Sequence, residues 1–179
     1  MKNYIVLLLV LLCSATVAFR PTSQQNSHHL SRNFSLLASQ KTEPVLTPPE
    51  KTVVDVLKSL HESKFPFRAV VVGNGAILES TMVLGPTMKV SSSPATGANI
   101  LTLASEDKAF EFHIQTAQVS KIVFTQKESP QMPGRIMSIS RLLNAEGKPM
   151  CSLILADDSS SASEWYEGLI QKYGGEIQL

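Results

Sequence analysis

Apolar positions between Leu46 and Leu179 follow two periods, and the switch between them marks the elements. From Pro48 to about Glu62 the period is helical, with Val53, Val56, Leu57 and Leu60 on one face. Thr47-Pro-Pro-Glu50 opens this segment as a capping box. The Thr hydroxyl and Glu carboxylate meet amides that a first helical turn leaves unpaired, and Pro48 sits where its missing N–H costs nothing. Phe65-Pro66-Phe67 then breaks the helix. FRAVVV predicts a short buried strand, Gly73-Asn-Gly75 a hairpin turn, and AILESTMVL the return strand. Gly85-Pro86 marks a turn, TMKV a short strand, Ser91 to Gly97 a polar loop, and NILTLAS another strand.

The second half is more sharply patterned. AFEFHI puts Phe110, Phe112 and Ile114 on one face and Glu111 and His113 on the other, the period of a half-buried strand. VSKIVFT is β-branched and apolar and predicts the next strand. Ser129-Pro130 and Pro133-Gly134 punctuate a loop, because Pro removes a ladder donor and Gly accepts positive φ. RIMSISRLL and PMCSLILA flank Asn144-Ala-Glu-Gly147-Lys, a hairpin connection. Ser161-Ala-Ser-Glu164 reads as a capping box before WYEGLIQKY, whose Trp165, Leu169 and Tyr173 form a stripe for the sheet, and Gly174-Gly175 ends the helix. The sum is a helix, six or seven antiparallel strands and a helix: an α+β fold, an antiparallel meander with a helix at either end covering one face. No internal repeat or second domain is evident.

Residues 1–45 read as an address rather than a fold. Lys2 precedes YIVLLLVLLCSATVAF, a charge-free run that suits a secretory signal peptide, residues 1–18, with small residues Ala15 and Ala18 at its end. Residues 19–45 begin Ser-rich and basic, and the first carboxylate of the chain is Glu43. The junction Ala18-Phe19-Arg20-Pro21 resembles the phenylalanine-centred import motif of algae whose plastids have extra membranes, such as diatoms. A signal peptide followed by a transit-peptide-like segment then predicts the plastid. The alternative is secretion, with Asn33-Phe-Ser35 as a glycosylation sequon. The folded domain is assigned to residues 46–179.

Charge narrows the function classes. Three of the 16 Lys and Arg residues lie in the first 40 positions, so 13 face all 15 Asp and Glu in the remainder. A formal charge of −2 offers no basic surface for nucleic acid. Cys13 falls in the leader and Cys151 stands alone in a predicted strand, which leaves no disulfide framework and no paired-cysteine metal motif. No nucleophile elbow, HExxH, P-loop or GxGxxG is present, and the expectation is a non-enzyme without a membrane span in the mature chain.

Two segments then carry a family resemblance: FRAVVVGNGAILESTMVLGP, and the long stretch from Phe112-His113-Ile114 through Trp165-Tyr166 to Tyr173. Their order and spacing resemble the ChuX/HutX group of bacterial intracellular haem carriers, relatives of single repeats of the HemS/ChuS haem-utilisation proteins. The resemblance implies a haem held by histidines on neighbouring strands. His113 matches one of them; the second, expected at the end of the first hairpin strand, is replaced by Val72. Met82 and Met88 are the nearest substitutes as iron ligands, His61 lies on the first helix, and Arg135 suits a propionate, with Arg141 more simply a solvated strand residue. Read from the residues alone, His113 between Glu111 and Gln115 is foremost the setting of a half-exposed surface histidine, and Met82 and Met88 that of core filler or loop anchors. The resemblance also implies a homodimer. Two functions follow: a plastid carrier or buffer of haem or another tetrapyrrole, or a protein–protein scaffold that kept the fold and lost the ligand.

Overall fold

The computed structural model describes residues 43–73 and 75–179. The signal-peptide and import features, and the Asn33 sequon, lie outside the described residues. Helix α1 spans Pro48–Glu62 and carries the expected capping box: the Thr47 side chain accepts from the Glu50 amide while the Glu50 carboxylate accepts from the Thr47 N–H. Val53, Val56, Leu57 and Leu60 are its buried stripe.

Nine strands follow: β1 (Pro66–Gly73), β2 (Ala76–Val83), β3 (Thr87–Ser92), β4 (Asn99–Ala104), β5 (Glu111–Gln115), β6 (Lys121–Glu128), β7 (Ile136–Leu143), β8 (Pro149–Leu155) and, after helix α2 (Ser160–Tyr173), β9 (Glu176–Gln178). Every pairing is antiparallel. The expected single meander is in fact two sheets, one six-stranded in the order β2-β1-β8-β7-β6-β9 and one three-stranded, β3-β4-β5.

The division happens at Gly85. Its φ of +68° reverses the chain, and its N–H meets the Val83 carbonyl at 2.6 Å, so β3 leaves the direction of β2 instead of pairing with it. A 3-10 turn at Thr116–Gln118 makes the second crossing, from β5 back to the large sheet. β8 then returns beside β1, Phe67 opposite Leu155 and Ala69 opposite Leu153.

The core lies on one face of the large sheet. Phe67, Ala69, Ile122, Phe124, Leu142, Cys151, Leu153 and Leu155 from that face join the α1 stripe, Leu101, Leu103 and Ile114 of the small sheet, and Ala162, Tyr166 and Leu169 of α2. Burial of this apolar set is the main driving force for the fold. Helix α2 starts two residues before the expected capping box. Ser159 is the N-cap, accepting from Ala162 N, so Ser161 and Glu164 lie inside the helix. Its deepest residue is Tyr166, whose hydroxyl meets Ser140 at 3.2 Å, with Trp165 alongside against Phe65 and Phe67. No described helix is long and apolar enough to cross a membrane.

Candidate functional site

His113 stands on β5, a free edge of the small sheet, and the expected alternation places it outward between core-facing Phe112 and Ile114. Its cross-strand partner is Thr102 of β4, and Thr102 Oγ1 lies 2.9 Å from His113 Nδ1. A hydroxyl both donates and accepts. The roles follow the ring's tautomer: Nδ1–H donating to Thr102 leaves the Nε2 lone pair for a ligand, whereas Thr102 donating to Nδ1 leaves Nε2–H facing Glu111. Glu111, two residues earlier on the same face, brings a carboxylate oxygen to 3.5 Å from Nε2. The imidazole is 53% exposed, so an incoming group can reach it.

Beside β5 is an open hollow of about 340 Å³ between that strand and the β1–β8 pair of the large sheet. His113, Phe112, Val71, Met150 and Cys151 line it, and Gln115, Gln118 and Asn144 add amide groups. Burial pushes the Cys151 thiol up to about 12, so it faces the hollow as an inert apolar group. Val72, at the position where the resemblance leads one to expect a second histidine, follows Val71 in β1 and is exposed. Met150 was not among the sequence candidates. Its position at the start of β8, just past the Asn144–Lys148 turn, gives no local signal of a ligand; only the pairing of β8 with β1 brings it to this hollow.

The structure does not gather the remaining candidates here. Met82 pairs with Phe67 and packs against the core, and Met88 does the same from β3. Met88 also borders a separate hollow of about 440 Å³ with His61, Lys58 and Lys64. His61 Nε2 is buried without a hydrogen-bond partner, while the rest of the ring borders that hollow. Arg135 lies at the base of the β6–β7 loop, bound to Asp158 through Nε at 2.9 Å and Nη2 at 2.8 Å, with Nη1 3.8 Å from Met132 Sδ. It lines a third hollow, of about 580 Å³, with Arg68, Glu79, Met132 and Met137 on the large sheet's other face. Among the described residues no cluster of three or more His, Cys, Asp or Glu could hold a bare metal ion.

The hollow at His113 fits a largely apolar ligand with one coordinating centre. It offers an imidazole with its far nitrogen tied, a thioether, and aliphatic and aromatic walls. It offers no arginine or lysine for acidic substituents, which would remain toward solvent or the amide groups.

No family model matches the chain, and comparison with curated proteins finds no significant relative. Solved structures do match. The haem-binding protein ChuX is 17% identical with a TM-score of 0.55, over 69% of this chain and 74% of ChuX. A structural-genomics protein of Agrobacterium tumefaciens is 15% identical with a TM-score of 0.55, over 69% of this chain and 68% of its own. ChuS, described as an E. coli haem oxygenase, is 15% identical with a TM-score of 0.50, over 68% of this chain and only 35% of ChuS. The fold is therefore the ChuX-like α+β fold.

Proposed function

We propose that residues 46–179 form a tetrapyrrole-binding domain that carries or buffers haem or a close relative, with His113 as its imidazole ligand. The observation that carries this reading is the Thr102–His113 hydrogen bond, which orients the ring beside an apolar hollow that also holds Met150. The likeness in fold to ChuX, itself described as haem-binding, supports it. When bound, haem would supply the redox-active, light-absorbing centre. The chain's own residues would supply the rest: an imidazole, a thioether and apolar walls, with the Glu111 carboxylate 3.5 Å from Nε2.

We read the domain as a carrier, in line with its likeness in fold to ChuX, described as haem-binding. The leader completes the reading as an address for a plastid. A reporter fused to residues 1–45 enters plastids of an alga of that type, and Phe19→Ala diverts it; secretion of both forms would refute the address.

Haem titration of residues 41–179 tests the ligand. A saturable Soret shift is expected, lost in His113→Ala and altered in position by Met150→Leu. No shift, or one indifferent to His113→Ala, ends the proposal. A second reading, a scaffold without ligand, draws on the exposed apolar edge at Ile77 and Leu78. A stoichiometric protein partner, purified without a chromophore, would select it.

A further inference from the structure

The last turn of α1 and the edge strand β3 border the hollow of about 440 Å³ that also holds Met88. Lys58, Lys64 and Lys89 bring three positive charges to it, against one negative charge from Glu62. Beyond the leader the chain carries 13 basic and 15 acidic residues, so this excess of lysine is local. Glu62 makes only a loose pair with Lys58, at 3.8 Å between exposed side chains, and an incoming anion can take its place.

Two details of this hollow need a cause. Lys64 has a φ of +60°, the left-handed conformation in which helices commonly end and which glycine adopts without strain. Lys108, the other described non-glycine residue at positive φ, sits in a turn closed by Ser105 and Phe110. Lys64 instead directly follows Ser63, the C-cap of α1, and borders the hollow. Work for its ammonium there accounts for a lysine held at a cost in backbone strain. The second detail is His61. Its Nε2 is buried without a hydrogen-bond partner while the ring borders the same hollow. A polar atom left unpaired in this way costs stability, which a bound group could return. A half-turn of the ring exchanges the places of its nitrogens and carbons, so a nitrogen can face the hollow when a partner arrives.

We propose that this hollow binds the phosphate group of a small organic phosphate. Lys58 and Lys64 at the end of α1 and Lys89 on β3 are point charges on separate stems, suited to separate oxygens of a tetrahedral anion. A planar carboxylate is better served by the fork of an arginine, and no arginine lines this hollow. Three lysines less one glutamate leave a charge of +2, which suits a dianion. The carbonyl end of α1 opposes it with only about half a negative charge, and the lysines prevail. Met88 and Val90 give an apolar wall to the organic part, in a hollow larger than a phosphate ion alone needs. The hollows at His61 and at His113 share no lining residue, so this site is independent of the tetrapyrrole reading.

The test follows the methionine methyl signals of the full chain, isotope-labelled in those methyl groups, at about 0.15 M salt to screen non-specific attraction. Hexyl phosphate is the probe, with inorganic phosphate and hexanol as its separate parts. Hexyl phosphate is expected to shift the Met88 methyl saturably and to leave Met132, Met137 and Met150 unmoved. Inorganic phosphate should do the same at higher concentration, and hexanol should not. Lys58→Gln and Lys64→Gln each weaken binding about tenfold or more, as for the loss of a charged hydrogen bond. Lys64→Gly separates ligand from fold: by relieving the left-handed strain it raises the unfolding temperature of the free chain, yet it weakens binding as Lys64→Gln does. No saturable shift at Met88, equal binding of hexanol, or an affinity unchanged in the lysine variants overturns the inference. So does a Met88 signal that responds to vesicles containing phosphatidic acid and not to hexyl phosphate, which would make the ligand a membrane surface.

Discussion

Glu50 and Thr116 are joined across the fold, the threonine hydroxyl donating to Glu50 Oε1 at 2.9 Å with both residues buried. The same carboxylate closes the capping box of α1 through Oε2 and accepts Asn99 Nδ2 at 3.1 Å. One side chain thus ends a helix and ties it to β4 and to the crossing between sheets. Burial opposes its ionisation, but hydrogen bonds from the Thr47 backbone, Thr116, Asn99 and the Thr47 hydroxyl outweigh burial and hold the carboxyl below its usual range. A lowered carboxylate pKa contributes stability that is complete above the unfolded value near 4.5 and is lost as pH falls through the folded value. Unfolding midpoints should therefore drop steeply below about pH 4.5, and Glu50→Gln should flatten that limb. At neutral pH Thr116→Val should cost about 1–3 kcal/mol, the range for a buried acceptor losing a partner. Denaturant titration at both pH values checks each.

Gly85 is, among the described glycines, the one least open to replacement. Its φ of +68° disfavours any side chain, and an added Cβ would overlap the carbonyl of Ala104 on β4. Backbone, unlike a flexible side chain, cannot swing aside. Gly85→Ala should cost about 3 kcal/mol or more, combining left-handed strain with overpacking. Gly75→Ala, at φ +86° with open space around it, isolates the strain alone and should cost much less. Thermal unfolding of the two variants side by side gives the comparison.

Local chemistry made most elements readable. The Thr47–Glu50 capping box, the period-two faces of β5 and the Gly-bearing hairpins were all legible, because short-range hydrogen bonding and alternation decide them. Helix α2 was misplaced at its start because its serine run offers several hydroxyls, and only the Asp157 contact to the Ser159 amide picks Ser159 as the cap. β9 was invisible: three residues carry no period, and their strand exists because Ile177 lies opposite Ile122. The division into two sheets hid for the same reason, since it follows from the approach of Gly85 to Ala104 across 19 positions of chain. At the candidate site, the family resemblance pointed to His113, while its strand setting alone reads foremost as that of a surface histidine. Its companion Met150 could be named from neither, because pairing of β8 with β1 brings it there.

Thr102 should act on ligand affinity without touching the ligand. Its hydroxyl fixes the His113 ring through Nδ1, and loss of such an outer contact typically weakens metal binding about 10–100-fold. Thr102→Val keeps the β-branched shape of a strand residue and removes only the hydrogen bond. Haem titration should show affinity reduced by about tenfold or more with the saturating spectrum retained, in contrast to the loss expected for His113→Ala. Thr102→Ser should restore most of it. Equal affinities for Val and Ser at position 102 would remove the hydroxyl from the site.

Cys151 gives a direct measure of how often the wall behind the hollow comes apart. The thiol is buried on the strand between β1 and β7 and its pKa is pushed up to about 12, so neither access nor thiolate favours reaction. Alkylation near pH 8 should leave the residue unmodified over a period that labels it completely in denaturant, as read by peptide mass. Because the raised thiol pKa contributes stability only below its ordinary value near 9, the folded state should weaken progressively as pH climbs from there toward 12, and labelling should accelerate more than the thiolate fraction of the folded protein alone allows. If haem seats against this wall, saturation should slow labelling further, because binding adds to the free energy of the closed state. Unchanged labelling at saturating haem would show that the ligand neither covers this wall nor stabilises it against opening.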